Sequence, residues 1–232
     1  MPIFPLGKEC IFPPVELATK EGIIAVGGDL SPQRLLAAYR QGIFPWYSDP
    51  DPILWWSPDP RLILFPHELI VSKTMRKTLN KGEFHITCDT CFRDVMLGCS
   101  KPRKYGPGTW ITNDILEAYC RLHEMGYAHS VESWQQDKLV GGLYGVSLGS
   151  VFVGESMFYT VNNASKVAFI AFVQRLGELG FSFIDCQVYT AHLASFGAIA
   201  IPRREYLKLL RQCLQHKTRS GNWQNIFNSP RY

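Results

Sequence analysis

Two acids stand where the chain is otherwise apolar. Glu155 lies in Val151-Phe-Val-Gly-Glu-Ser-Met-Phe158 and Asp185 in Phe181-Ser-Phe-Ile-Asp-Cys-Gln-Val188. A carboxylate taken out of water is costly unless it is paired or hydrogen-bonded, so each acid needs a partner. Beside a substrate, such a group can take a proton or orient an amine. Away from one, it is a satisfied acid at a sheet end. Residues two apart on a strand share a face, which puts Asp185 with Gln187 and turns Cys186 away. A catalytic pair can be spaced in this way.

The other reactive side chains point to less. Cys88-x-x-Cys91 follows His85, but zinc needs a second pair and Cys99 stands alone, so no metal site is expected. These cysteines read as small buried residues. Seven cysteines at irregular spacing fit reduced thiols better than a disulfide framework. His129 and His192 read as structural histidines. Asn163-Ala-Ser165 fits a glycosylation sequon, which has no meaning in the cytosol.

The elements that position these residues follow from periodicity. Ser31 and Pro32 open a helix with Leu35, Leu36 and Tyr39 on one face and Gly42 at its end. The prolines at 45, 50, 52, 58 and 60 then argue against helix or central strand over 42–60, and a domain boundary is expected near Arg61. A helix over 72–81 carries Lys73, Arg76, Lys77 and Lys81 as a basic stripe. A short helix over 91–98, a loop over Ser100–Gly108 and a helix from Thr112 or Asn113 to Met125 follow. Strands are expected over 128–135, 139–147 and 151–158, with turns at Gln136-Asp137 and Gly149-Ser150. A buried helix over 164–179, a strand over 181–188 and helices over 191–196 and 203–215 complete the chain.

Antiparallel strands followed by a crossover helix make an α+β pattern. It resembles the acetyltransferase-like (GNAT-like) fold, with a central, mostly antiparallel sheet. The pattern assigns residues 1–61 to a small N-terminal domain and 62–232 to the domain carrying the acids.

Composition bounds the partners. Apolar residues make up 46% of the 232, charged residues 19%, and mean hydropathy is −0.05, values of an ordinary globular protein. The longest uncharged run near the middle, Val140–Gly154, holds five glycines and reads as strands, not a membrane span. The N-terminus lacks the charged and apolar regions of a signal peptide, so a cytoplasmic protein is expected. Charge is unevenly spread. Residues 71–104 carry 8 basic and 3 acidic groups, and residues 203–232 carry 7 and 1. Residues 105–202, between them, carry 4 and 8. Basic blocks are either solvated faces or contacts for a polyanion, nucleic-acid phosphates first. No heptad seam or internal repeat is present, which points to a monomer.

A coenzyme A enzyme would need a glycine-rich phosphate cradle where the third strand meets the buried helix. That junction, Phe158-Tyr-Thr-Val-Asn-Asn-Ala-Ser165, has neither glycine nor arginine. The acyl donor is therefore expected to be something else, and no cofactor is expected.

Six strings then carry a resemblance. They are Gly27-Gly-Asp-Leu-Ser31, Gly42-Ile-Phe-Pro-Trp46, Ile53-Leu-Trp-Trp-Ser-Pro-Asp-Pro-Arg61, Gly108-Thr-Trp-Ile-Thr112, Gly154-Glu-Ser-Met-Phe158 and Ile184-Asp-Cys-Gln187. In order and spacing they resemble the bacterial leucyl/phenylalanyl-tRNA–protein transferases, from about residue 22 to 206. The resemblance implies transfer of Leu or Phe, and less well Met, from aminoacyl-tRNA to the α-amine of proteins beginning with Arg or Lys. That marks them for N-end-rule degradation. It implies Trp46 and Trp110 around the 3′-terminal adenosine, and Leu143, Phe152, Phe172 and Ile184 around the amino-acid side chain. It places Asp185, Gln187 and Glu155 at the chemistry. The basic stripe would hold tRNA phosphates. An aminoacyl ester is already activated, so neither ATP nor coenzyme A is required.

Overall fold

The computed structural model describes residues 3–101 and 110–227. Most of the loop expected over Ser100–Gly108, and the first two residues of Gly108–Thr112, lie outside them.

Two sheets organise the chain. The first takes β1 (Phe4–Leu6) and β2 (Ile23–Gly27), continues through helix α1 (Pro32–Tyr39), and closes with β3 (Phe44–Pro45) and β4 (Leu54–Trp56). Its strand order is β1-β2-β4-β3. The Ser31 hydroxyl accepts from the Arg34 N–H at 3.4 Å as an N-cap, and Gly42 ends the turn at φ +72°. The expectation of no central strand over 42–60 is overturned, because β4 lies inside this sheet. Its three residues hold none of the prolines, which flank it, while Pro45 sits on the edge strand where a missing N–H costs nothing.

The second sheet draws on the rest of the chain. In sequence come β5 (Arg61–Leu64), α2 (Lys73–Asn80), β6 (His85–Cys88), α3 (Phe92–Ser100), α4 (Asn113–Glu124), β7 (Ala128–Gln135), β8 (Lys138–Leu148) and β9 (Val151–Tyr159). Then follow α5 (Ala164–Glu178), β10 (Phe183–Gln187), α6 (Ala191–Ala194), β11 (Ile199–Ile201) and α7 (Arg203–Cys213). The order is β11-β5-β10-β9-β8-β7-β6, antiparallel except where β10 runs parallel to β9. The fold is α+β and acetyltransferase-like: a β7-β8-β9 meander, a crossover helix, and a parallel fourth strand. The Gln136-Asp137 turn has φ of +50° and +58°, which suits the right-handed twist of a two-residue hairpin. Strands β5, β6 and β11 are absent from the sequence reading, for each is only three or four residues long.

The core has two parts, one on each face of the second sheet. One face joins the first sheet, α3, α4 and α7. The other carries α5, in which ten residues from Ala164 to Leu176 are buried. β9 and β10 pair only at Val151–Val153 with Phe183–Asp185. Beyond that they separate, and both strands carry a bulge at the point of separation. Glu155 is the extra residue between β9 and β8, and Cys186 the extra residue between β10 and β5. A bulge re-aims side chains where regular pleating would alternate them.

Candidate active site

Where β9 and β10 separate there is a cavity of about 600 Å³. Trp46 and Trp110 line it, as do Leu143, Phe152, Phe172 and Ile184, together with Glu155 and Gln187. Both sheets contribute, because Trp46 directly follows β3 of the first. Trp46 is 42% exposed and tilts against Trp56 at 5.4 Å between ring centroids, while the Trp56 indole N–H donates to the Trp46 carbonyl at 2.6 Å. An exposed indole on a fixed backbone is an available stacking surface. Leu143, Phe152, Phe172 and Ile184 belong to the core on the α5 side, with Phe152 edge-on to Phe172 at 4.7 Å.

The polar end of the cavity centres on Gln187. Its backbone N–H donates to Asp185 Oδ1 at 2.9 Å, and its side-chain amide donates to Glu155 Oε1 at 2.9 Å. When Glu155 is ionised its oxygens only accept, and the amide is then held N–H towards it. Glu155 Oε1 also accepts from the Tyr39 hydroxyl at 2.7 Å, and Oε2 from the Tyr119 hydroxyl at 3.3 Å; the two phenols touch each other. Burial pushes the Glu155 pKa up to about 8 against the pull of these donors, and the nearby Asp185 charge adds to the rise. Tyr144, also in the cavity wall, has a buried hydroxyl with no hydrogen-bond partner among the described residues.

Asp185 is placed differently. It is fully buried and does not line the cavity. Arg61 grips it in a fork, Nε to Oδ1 at 2.8 Å and Nη2 to Oδ2 at 2.6 Å, and the Tyr206 hydroxyl donates to Oδ2 at 2.7 Å. Burial works against the Arg61 charge, but Asp185 outweighs it and holds the guanidinium protonated. The same guanidinium lies over the Phe44 and Tyr206 rings at 4.8 and 4.6 Å and donates to the Gly42 carbonyl.

The expected shared face of Asp185 and Gln187, with Cys186 turned away, is thus corrected. Ile184 and Cys186 face the cavity and Asp185 faces Arg61. The extra residue, Cys186, then breaks the alternation, and Gln187, itself at φ +62°, returns to the cavity side. Burial raises the Cys186 thiol well above its ordinary range, and the nearby Asp185 charge adds to the rise, which favours the protonated thiol.

The basic stripe is elsewhere. Lys73, Arg76, Lys77 and Lys81 are all exposed on and just beyond α2, and none lines the cavity. Lys81 pairs with Glu83 at 3.5 Å. His129 is buried with Nδ1 2.9 Å from Asp89, as a structural histidine should be, and burial lowers its pKa. His192 lines the cavity. Cys88 Sγ lies 2.8 Å from the Ser130 carbonyl. Sequence reasoning missed Arg61, Tyr39, Tyr119 and Tyr206. The one available signal was Arg61, which closes the third of the six strings.

Comparison with known proteins bears on this arrangement. The model of the leucyl/phenylalanyl-tRNA protein transferase family matches residues 63–211, and that of the family's N-terminal domain residues 28–59. The chain belongs to this family. A leucyl/phenylalanyl-tRNA–protein transferase from Syntrophus aciditrophicus is 56% identical over 224 residues, 96% of this chain and 94% of its own. One from Nitrosospira multiformis is 54% identical over 220 residues, 94% of this chain and 95% of its own. Solved structures match more loosely. A GCN5-related N-acetyltransferase from Kribbella flavida is 9% identical over 73% of this chain and 60% of its own, at a TM-score of 0.37. The family makes this chain an aminoacyltransferase. No helix among the described residues is long and apolar enough to cross a membrane.

Proposed function

We propose that this protein transfers Leu or Phe, and less well Met, from aminoacyl-tRNA to the α-amine of proteins that begin with Arg or Lys, marking them for N-end-rule degradation in the cytoplasm. The observation that carries this reading is a single cavity in which an apolar pocket, two tryptophans and the Glu155–Gln187 pair face one another. In this reading the 3′-terminal adenosine lies against Trp46 and Trp110, and the amino-acid side chain enters the pocket of Leu143, Phe152, Phe172 and Ile184. Walls close to Cβ would turn away Ile and Val. Lys73, Arg76, Lys77 and Lys81 hold tRNA phosphates outside the cavity. Residues 1–61 form a small N-terminal domain that brings Trp46, and residues 62–232 the catalytic domain. Neither metal nor cofactor is needed.

The chemistry follows from the ester. The acceptor's amine nitrogen bonds to the carbonyl carbon, the carbon–O3′ bond breaks, the amine loses protons and the ribose oxygen gains one. With its amide N–H engaged by Glu155, Gln187 presents Oε1 to the amine and aims its lone pair at the carbonyl. Glu155, poised by burial near neutral pH, takes the proton as a general base. Asp185, enclosed by Arg61, acts as a positioning residue that holds the Gln187 backbone. Proximity supplies most of the acceleration, because the ester is already reactive.

The test uses labelled Leu-tRNA with peptides beginning with Arg or with Ala. Transfer to the first alone is expected, and no transfer to either overturns the reading. Single-turnover rates at saturating Leu-tRNA then separate the roles. Glu155→Gln should slow the chemical step roughly 10²–10⁴-fold. If folded Glu155→Gln and Asp185→Ala proteins both keep the wild-type chemical rate, the tRNA's own 2′-hydroxyl is the better base.

A further inference from the structure

The C-terminal segment, beyond residue 211 where the family model's match ends, reaches back to the apolar pocket. Trp223 is 3% exposed and belongs to the same core as Leu143, Phe152, Phe172 and Ile184, yet it does not line the cavity. Its ring lies 6.2 Å from Phe152 and 6.2 Å from Phe172, centroid to centroid, directly behind both walls.

The ring is held from every side. One face stacks on His129 at 3.7 Å and 8°. His129 is itself tied to Asp89 at 2.9 Å, and the other oxygen of Asp89 accepts from the Ser130 N–H at 3.0 Å. The Trp223 backbone N–H donates to Asp89 at 2.8 Å, the Gln224 side chain donates to the Asp89 carbonyl at 3.2 Å, and the indole N–H donates to the Arg219 carbonyl at 3.2 Å. Upstream, Gly221 packs so closely on Gly126 that a Cβ on the latter would lie 2.2 Å from the Gly221 nitrogen. A ring fixed in this way cannot retreat, and in a close-packed interior neither can the two phenylalanines in front of it.

We infer that Trp223 sets the depth of the side-chain pocket and is a specificity-determining residue: it limits which aminoacyl groups enter by bracing Phe152 and Phe172 from behind. The inference rests on the functional reading above and adds a residue to it. A smaller residue at 223 leaves a void into which Phe172 and Phe152 move, so the pocket deepens by part of an aromatic ring. The groups admitted would be larger aromatics, Trp first.

The experiment charges one tRNA body with Leu or with Trp, so that all contacts to the tRNA cancel. It compares the two kcat/KM values with an Arg-initial peptide for wild type, Trp223→Leu and Trp223→Phe. Partial unfolding lowers both values equally and leaves their ratio unchanged. The Trp-to-Leu ratio should rise at least about tenfold in Trp223→Leu, since even one methylene in such a pocket is worth roughly 10–200-fold. It should rise less in Trp223→Phe, which keeps a ring on His129. A ratio within about twofold of wild type in folded Trp223→Leu overturns the inference. If that variant does not fold, an unchanged ratio in Trp223→Phe overturns it instead. Wild-type protein that transfers neither Leu nor Phe removes the functional reading and the inference with it, whereas wild-type transfer with unchanged ratios removes the inference alone.

Discussion

Asp185 and Glu155 lie on neighbouring strands and share Gln187 as a hydrogen-bond donor, but they are stabilised in opposite ways. Asp185 has a cation in fork geometry and a phenol, and no access to the cavity. Glu155 lines the cavity and is held by two phenols and an amide; no cation bonds to it among the described residues. Paired charge in a dry interior is fixed, because neither partner can change protonation without stranding the other. A carboxylate solvated only by neutral donors has no such tether, and burial brings its titration towards neutrality. The comparison teaches that two acids in similar sequence surroundings, one buried and one partly exposed to the cavity, come to differ in charge partner and in protonation according to what faces them.

The sharpest way to break this contrast is at Arg61. Arg61→Met should strand a buried carboxylate and destabilise the protein by about 3–5 kcal/mol. Adding Asp185→Leu should recover much of that. Urea denaturation of the three proteins measures both, and a loss below about 1 kcal/mol for Arg61→Met would show that Asp185 has no need of its cation.

The second test lies in the pH dependence of stability. The Glu155 pKa is raised from 4.5 to about 8 in the folded chain. Between those values the unfolded chain has already lost the proton that the folded chain keeps. The unfolded state therefore binds fewer protons, and this residue's contribution to stability falls as pH rises, by at most about 1.4 kcal/mol per unit. Above about 8 the decline stops. Glu155→Gln should flatten the curve in this window. Chemical denaturation from pH 5 to 9 reads the slope, and identical slopes for the two proteins would remove the contrast with Asp185.

A smaller effect is expected at the cavity mouth. Trp46→Ala should raise the KM for aminoacyl-tRNA by an amount corresponding to about 1–3 kcal/mol, with the single-turnover rate at saturation little changed. A fall in that rate at unchanged KM would move Trp46 from binding to chemistry. The smallest effect belongs to α2. Reversing Lys73 and Arg76 to Glu should weaken all accepted tRNAs alike and reduce the slope of log affinity against log salt by about 0.7–0.9 per lost phosphate contact. An unchanged slope would assign the stripe to solvent.

Much of the second sheet was legible because its signals are local. The 128–159 meander, the Gln136-Asp137 turn and α5 were read to within a residue or two, since period-2 alternation, turn chemistry and a long apolar run each sit within about fifteen residues of sequence. The short strands β1, β5, β6 and β11 carry no comparable period. β4 was masked by prolines that flank it without entering it. Eight of the residues singled out for the site do line one cavity, but the reading of Asp185 and Gln187 on one face assumed a regular strand.

The amino-acid sequence by itself determined the α+β class, the antiparallel meander with its crossover helix, the family, and the residue types at the cavity. Tertiary structure alone decided what each carboxylate faces. Arg61 reaches Asp185 across 124 residues, Tyr39 reaches Glu155 across 116, and Trp223 comes to Asp89 across 134. No local spacing records such pairings. The two bulges, at Glu155 and Cys186, arise where β9 and β10 separate and each must stay in register with its other neighbour. Pleating there gives way to the demands of four strands at once, and a rule that counts residues along one strand cannot foresee it.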